Sequence, residues 1–117
     1  MSEIVVYAQI TKNGLNPEAA ELVTAAQEVA KVSGETITVL AADDQAPSYE
    51  DALKLDGVSD VILLHTVGID EMQTDVLSEV IADVVTSRDV STILAPSEHQ
   101  ARALLSRIAV KLDAGMT

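Results

Sequence analysis

Two kinds of segment alternate along this chain, and the alternation constrains its fold more than any other feature. Four short apolar runs, rich in β-branched residues, occupy residues 4–8, 37–41, 61–64 and 92–95. Short runs that are apolar on both faces are typical of strands covered by helices on both sides. An amphipathic stretch of helical period follows each run. The order β-α-β-α-β-α-β-α predicts parallel strands with right-handed crossovers, which is a three-layer, Rossmann-like α/β fold.

The first amphipathic stretch has recognisable ends. Asn16 is a capping residue type, Pro17 suits the first turn of a helix, and Gly34 is typical of a helix end. The apolar face between them consists of Ala19, Leu22, Val23, Ala26, Val29 and Ala30. A second, shorter helical stretch is predicted from Ser48 to Gly57.

The third and fourth amphipathic stretches both begin with residues spaced as in a capping box. Asp70-x-x-Gln73 precedes the third stretch. Ser97-x-x-Gln100 opens the fourth, so Ser97 is predicted as the N-cap of the last helix. The apolar face of the third stretch contains Met72, Val76, Val80, Ile81 and Val84. That of the fourth contains Ala101, Leu104, Leu105, Ile108 and Leu112.

Residues 1–117 are expected to form one domain, because the chain has the length of a single core and no linker, repeat or low-complexity stretch. Tyr7 and Tyr49 are its only aromatic residues, so the core must be built from Val, Ile, Leu and Ala. Small aliphatic side chains suit close packing of helices on a sheet. They also provide almost nothing on which a base or a flavin ring could stack.

The charge of the chain excludes two classes of partner. Nineteen acidic residues against seven basic ones give a net charge of −12. Binding to nucleic acid or to anionic lipid depends on Lys and Arg displacing counterions, so neither is an expected partner. Solubility explains the acidic excess without any partner, and electrostatic matching with a basic partner is the alternative.

The cytoplasm is the expected location of the chain. Residues 1–3 lead directly into the first apolar run, without the basic and apolar segments of a secretory signal or an Arg-rich leader. The longest apolar runs have four or five residues, too few for membrane insertion. The absence of cysteine excludes disulfides, zinc–thiolate sites and thiol nucleophiles.

The loops to inspect for a ligand site are those that follow the four apolar runs, because open parallel sheets bind ligands beyond the carboxyl ends of their strands. The first of these loops contains one glycine, Gly14, whereas a dinucleotide fingerprint needs three. The chain contains no P-loop either. Lys12 beside Gly14 is a candidate contact for an anion, but the residues favour a hairpin-like surface turn.

Residues 95–99 form the most site-like loop, because they lead into a helix N-terminus with free N–H groups and a partial positive charge. Ser97 and His99 are candidates for an activated nucleophile–base pair. Against this, Ser97 is explained as an N-cap, the loop lacks the glycine of a nucleophile elbow, and Glu98 opposes an anionic ligand. Capping is therefore favoured over catalysis.

Two further loops carry residues of metal-ligand type. His65 ends the third run and is separated from Asp70 by a loop with Gly68, so a strand-end histidine with one hydrogen bond is favoured. Asp43 and Asp44 are of the type that binds hard cations, but adjacent side chains usually diverge, which favours a solvated turn. We therefore predict no catalytic, cofactor-binding or metal-binding residue and expect that the chain is not an enzyme.

The whole chain resembles the N-terminal domain of the alpha subunit of electron transfer flavoproteins. Its first run and first helix, with Asn13-Gly14-Leu15-Asn16-Pro17 between them, look like that family's first strand, turn and helix. Residues 56–63 are similar to the approach to its third strand. Residues 93–97, followed by Arg102 and Arg107, are similar to its fourth strand and the arginine-containing helix after it.

The resemblance implies a sheet of the adenine nucleotide alpha hydrolase-like type with strand order 3-2-1-4. Two positions and one loop depart from the family pattern. Ala101 stands where the family usually has glycine, Ser106 stands where it usually has proline, and residues 98–100 form an atypical loop.

The resemblance also implies part of an electron carrier. Electron transfer flavoproteins take electrons from flavoprotein dehydrogenases, such as the acyl-CoA dehydrogenases of fatty acid β-oxidation, and pass them through a membrane quinone reductase to the respiratory chain. They are heterodimers, and their alpha subunit holds FAD in a C-terminal domain that this sequence lacks. The implied role of this chain is structural, with pairing to the beta subunit and no FAD binding alone. A stand-alone nucleotide-binding or interaction module of the universal-stress type is the alternative.

The sequence looks cut short, because it ends directly after a helix where this fold would continue with another strand. Without that strand, residues 92–95 would present an uncharged apolar edge. We expect this edge to support a weak homodimer that strengthens as salt screens the negative charge.

Overall fold

All four predicted strands lie in one sheet. The computed structural model of the chain describes residues 2–65 and 74–111. In chain order its elements are β1 (Glu3–Tyr7), β2 (Ile10–Thr11), β3 (Gly14–Leu15), α1 (Glu18–Ser33), β4 (Thr36–Asp43), a 3₁₀ turn (Ala46–Tyr49), α2 (Glu50–Leu53), β5 (Asp60–His65), α3 (Thr74–Thr86), β6 (Val90–Leu94) and α4 (His99–Lys111).

The strand order across the sheet is β5-β4-β1-β6, and all neighbouring strands run parallel. These are the third, second, first and fourth predicted strands, so the predicted order is confirmed. In the centre, Val6 of β1 pairs with Val39 of β4 on one side and with Leu94 of β6 on the other.

Helices cover the sheet on both faces, which confirms the three-layer fold. Side chains alternate between the two faces of a strand, so neighbouring residues of β1 and β4 belong to different core clusters. The cluster under α1 contains Ile4, Val6, Ala8, Ala19, Val23, Ala26, Ile37, Val39, Ala41 and Leu53. The cluster under α3 and α4 contains Val5, Leu40, Ile81, Ala82, Val85, Leu104 and Ile108.

Two residues predicted for the apolar helix faces are exposed instead. Val29 of α1 is 46% exposed, since the buried residues of that helix lie in its N-terminal part. Val76 of α3 is 47% exposed, because at about 100° per residue it lies on the opposite side of the helix from Ile81 and Val85, which pack on the sheet. Met72, Leu112 and the predicted capping pair Asp70 and Gln73 lie outside the described residues.

Local signals set both ends of α1 as predicted. The Asn16 side-chain oxygen accepts the backbone N–H of Glu18 at 3.0 Å, and the Asn16 carbonyl accepts that of Ala19 at 3.1 Å. At the other end Gly34 adopts a φ of +76°, which glycine tolerates without strain, and donates its N–H to Ala30.

The residues between β1 and α1 form a short hairpin. β2 and β3 pair antiparallel, with Ile10 opposite Leu15 and Thr11 opposite Gly14. Gly14 has a φ of +107° at the turn, and Lys12 is exposed beside it. This geometry confirms the hairpin-like surface turn.

Candidate functional site

The strand order places a crevice beyond the carboxyl ends of β1 and β6. The chain leaves β1 to form β4 on one side of it, and β6 later joins its other side. In open parallel sheets a ligand binds at such a reversal of strand order. The hairpin after β1 and residues 95–98 after β6 border this crevice, and their polar side chains make up the candidate site.

Gln9 is the central side chain of this crevice and is only 5% exposed. Its amide nitrogen donates a hydrogen bond to the Glu98 carboxylate. Its amide oxygen accepts one from the Asn16 side chain at 2.8 Å, and its carbonyl accepts the Asn16 N–H at 2.9 Å. Gln9 therefore ties the start of α1 to the start of α4.

Glu98, not Ser97, caps α4, so the prediction for Ser97 is wrong. The Glu98 carboxylate accepts the N–H of Ala101 at 3.3 Å, and its backbone carbonyl accepts that of Arg102 at 3.0 Å. A carboxylate in this position also interacts favourably with the helix dipole. Ser97 turns toward α1, where its N–H and hydroxyl donate to the Glu18 carboxylate at 3.2 and 3.4 Å.

Tyr7 stands beside this network on the other face of the sheet and is half-buried. Burial, together with the negative charges of Asp43 and Glu98, raises the pKa of its phenol to about 12. The phenol borders an apolar cavity of about 10 Å³ under α3 and α4. A cavity of this size holds about one water molecule and leaves no room for a larger ligand.

The other candidate residues are not drawn into the crevice by any described contact. The Asp43 carboxylate accepts the N–H of Gln45 at 2.8 Å, which confirms the turn at Asp43 and Asp44. His65 is exposed at the end of β5, in register with Asp43.

His99 belongs to α4, but its side chain, like Asp70, lies outside the described set, so its pairing with Ser97 stays untested. Within residues 2–65 and 74–111, no three side chains are placed to hold a metal ion.

A second polar cluster lies at the opposite, amino end of the sheet. The Arg88 guanidinium contacts Glu3 through Nε–Oε1 at 2.5 Å and Nη2–Oε2 at 3.0 Å, and it contacts Asp60 at 3.3 Å. Nearby, the hydroxyls of Ser2 and Ser91 donate hydrogen bonds to Glu35. These bonds, together with one from Ser33, lower the pKa of the Glu35 carboxyl.

Sequence reasoning did not single out Gln9 or Arg88. One signal was present for Gln9, an amide residue placed between the apolar Ala8 and Ile10 directly after a buried strand. None was present for Arg88, because its partners Glu3 and Asp60 are 85 and 28 residues away along the chain.

Comparisons with known proteins agree with the resemblance seen in the sequence. The model of the electron transfer flavoprotein domain family matches residues 4–117. The chain is 27% identical over 115 residues to the alpha subunit of an electron transfer flavoprotein from Methylophilus methylotrophus. The aligned region is 98% of this chain and 36% of that subunit, so the chain spans about a third of this curated relative. In the described ranges no helix is long and apolar enough to cross a membrane.

Proposed function

The chain belongs to the electron transfer flavoprotein domain family, and from this we propose that it acts as the N-terminal part of an alpha subunit. In that role it is a structural unit that pairs with a beta-type subunit. The observation that carries the proposal is the match to an alpha subunit over 98% of the chain.

The contents of the crevice support a structural role. Side chains from α1, from the hairpin and from the start of α4 bond to one another there, through Gln9, Asn16, Glu18, Ser97 and Glu98. Such contacts hold the helices in place on the sheet. A domain held together in this way is suited to be a scaffold, which presents its outer surfaces to other parts of an assembly.

The described residues do not fit FAD, the cofactor that the family implies. Two carboxylates, Glu18 and Glu98, hold the N–H groups at which a pyrophosphate would bind. The apolar cavity beside Tyr7, at about 10 Å³, is far too small for an isoalloxazine ring. We propose that the flavin belongs to another part of the assembly, and that electrons reach it there from flavoprotein dehydrogenases.

A binding experiment tests this function. The purified chain is titrated with the purified beta subunit of an electron transfer flavoprotein from the organism that produces the chain. Association is followed by calorimetry. We expect a one-to-one complex, and no change in flavin fluorescence when FAD is added to the chain alone. Absence of a complex, or tight binding of AMP or ATP by the chain alone, would instead support a nucleotide-binding module of the universal-stress type.

Self-association is a separate part of the proposal. In the described part of the chain β6 pairs with β1 alone, which leaves its other edge without a strand partner. We propose that two copies associate weakly through this edge and more strongly at high salt. Light scattering over a range of salt concentrations tests this, and a strict monomer at high salt and high protein concentration would contradict it.

A further inference from the structure

The turn of the β2–β3 hairpin carries a chemically labile pair of residues, Asn13 and Gly14. An asparagine side-chain amide can be attacked by the backbone nitrogen of the next residue, and glycine presents that nitrogen with no side chain in the way. Asn13 and Asn16 are the only asparagines of the chain. The structure gives these two residues opposite surroundings.

Asn16 is protected in two ways. Its side-chain nitrogen donates to Gln9 at 2.8 Å and its side-chain oxygen accepts the Glu18 N–H at 3.0 Å, so both ends of the amide are held. The next residue is Pro17, whose nitrogen carries no hydrogen and therefore cannot act as the attacking N–H group. Asn16 is thus an internal control for the chemistry at Asn13.

Asn13 has neither protection. It is exposed, and within the described ranges its side-chain amide takes part in no hydrogen bond. Gly14 follows it with a φ of +107°, in the region that glycine enters without a steric penalty. Exposed tips of turns open at little cost in free energy, so the attacking nitrogen and the amide can approach each other in the folded chain.

We infer that Asn13 is a site of spontaneous deamidation, and that its isoaspartate product loosens the hairpin. The Gly14 nitrogen bonds to Cγ of Asn13, the Cγ–Nδ2 bond breaks, and ammonia leaves with the proton of the Gly14 N–H, which closes a succinimide ring. The proximity of the two groups takes the place of a catalyst. Water then opens the ring at either carbonyl carbon and gives aspartate or isoaspartate.

Both products change the hairpin. Each replaces a neutral amide by a carboxylate, which makes the net charge of −12 one unit more negative. Isoaspartate also inserts a methylene group into the backbone between Asn13 and Gly14. Thr11 bridges this point, because its hydroxyl accepts the Asn13 N–H at 3.1 Å and donates to the Gly14 carbonyl at 3.2 Å. A longer backbone does not allow both bonds in their present geometry.

The pair Asp56 and Gly57 undergoes related chemistry with a different outcome. Closure of the same kind of ring there releases water instead of ammonia, and hydrolysis restores a carboxylate. Isomerisation of Asp56 therefore leaves the charge unchanged. None of the five glutamines of the chain precedes a glycine. A gain of negative charge during storage thus reports on Asn13, whereas the formation of isoaspartate alone does not.

The test compares Asn13→Gln with the matched control Asp56→Glu. Each substitution keeps the functional group and lengthens the side chain by a methylene group, which disfavours ring closure. Circular dichroism first establishes that both variants fold like the wild type. The purified chains are then incubated at mildly alkaline pH, and the more acidic form is followed by ion-exchange chromatography. We expect this form to appear at least about tenfold more slowly in Asn13→Gln, and at the wild-type rate in Asp56→Glu.

Mass spectrometry locates the reaction. Cleavage after glutamate gives a peptide of residues 4–18 that contains both asparagines, and we expect the mass gain at Asn13 and not at Asn16. In guanidinium chloride the unfolded chain should react within about tenfold of the folded rate, because the turn offers the amide little protection. The purified isoaspartate form should unfold at a lower urea concentration than Asn13→Asp, which carries the same charge on an ordinary backbone.

Each contrary result overturns the inference. An acidic form that appears equally fast in Asn13→Gln would assign the reaction to another residue. A folded chain that reacts more than about tenfold more slowly than the unfolded chain would show that the hairpin protects Asn13. Equal urea midpoints for the isoaspartate form and Asn13→Asp would show that the hairpin is not loosened.

Discussion

The two ends of the sheet are held together by different chemistry. At the amino end Arg88 joins Glu3 to Asp60 through charged contacts, and 31%, 13% and 55% of these three side chains are exposed. At the carboxyl end a neutral amide, Gln9, joins Glu98 to Asn16 and is only 5% exposed. Both ends contain carboxylates. Among the described contacts, a guanidinium takes part only in those of the amino end.

This difference follows from the cost of burial. Burying an amide with all its hydrogen bonds made costs much less free energy than burying a charged group, so Gln9 is found inside and Arg88 at the rim. Contacts at the rim are weakened by water and salt, whereas those inside are not. The two ends should therefore differ in how much they stabilise the fold and in how they respond to salt and pH.

Replacing Gln9 should cause the largest loss. Gln9→Ala removes the donor to Glu98 and the acceptor for Asn16 at a buried position, so we expect the free energy of unfolding to fall by about 2–3 kcal/mol. Urea unfolding measures this value. Asn13→Ala is the matched control, because Asn13 is exposed in the same hairpin. A loss below about 0.5 kcal/mol for Gln9→Ala would show that contacts other than those of Gln9 stabilise this end of the sheet.

Alkaline pH should weaken the carboxyl end through Tyr7. Its phenol has a pKa of about 12 in the folded chain, above the value of 10 for an unburied tyrosine. The folded state therefore binds this proton more tightly, and the resulting stability is complete below pH 10 and is lost as the pH rises toward 12. In the wild type we expect the free energy of unfolding, measured with urea, to fall by on the order of 1–2 kcal/mol at alkaline pH. Tyr7→Phe should abolish this fall. Parallel profiles for variant and wild type would contradict this.

The amino end should depend on salt more than the carboxyl end does. Arg88→Met breaks the contacts with Glu3 and Asp60, and we expect a loss of about 1 kcal/mol because these groups are partly exposed. A double-mutant cycle with Glu3→Gln isolates the pair. Its coupling energy should shrink in high salt, while the loss for Gln9→Ala should not. Equal salt dependence at the two ends would remove the distinction between them.

Acid should give the smallest effect, at the amino end. Hydrogen bonds from Ser2, Ser91 and Ser33 lower the pKa of Glu35 below its ordinary value of 4.5. The stability that they add is therefore present above pH 4.5 and is lost as the pH falls through the lowered value. Ser2→Ala/Ser91→Ala should flatten this part of the pH profile of the urea midpoint. An unchanged acid limb would show that the Glu35 carboxylate does not contribute to stability.

The fold could be predicted well because its signals are local. Apolar runs and helical periods lie within single segments, and Asn16 and Gly34 cap α1 through contacts with residues two to four positions away. The strand order required the family resemblance in addition, since pairing of β1 with β4 and β6 joins segments distant in sequence. The error at Val29 arose where a regular period continued past the part of α1 that meets the sheet, and the error at Val76 arose because this residue lies on the other side of α3 from Ile81 and Val85.

The candidate site was predicted less well, and the α4 cap shows the reason. Ser97 and Glu98 are adjacent and both are able to cap a helix, so no local pattern separates them. The choice depends on Glu18, which is 79 residues from Ser97, and on Gln9, which is 89 residues from Glu98. Residue types and their periodicity were enough to define the strands, the helices and the acidic character of this protein. Packing decided which polar side chains share the crevice, because such contacts form only once the sheet has brought distant segments together.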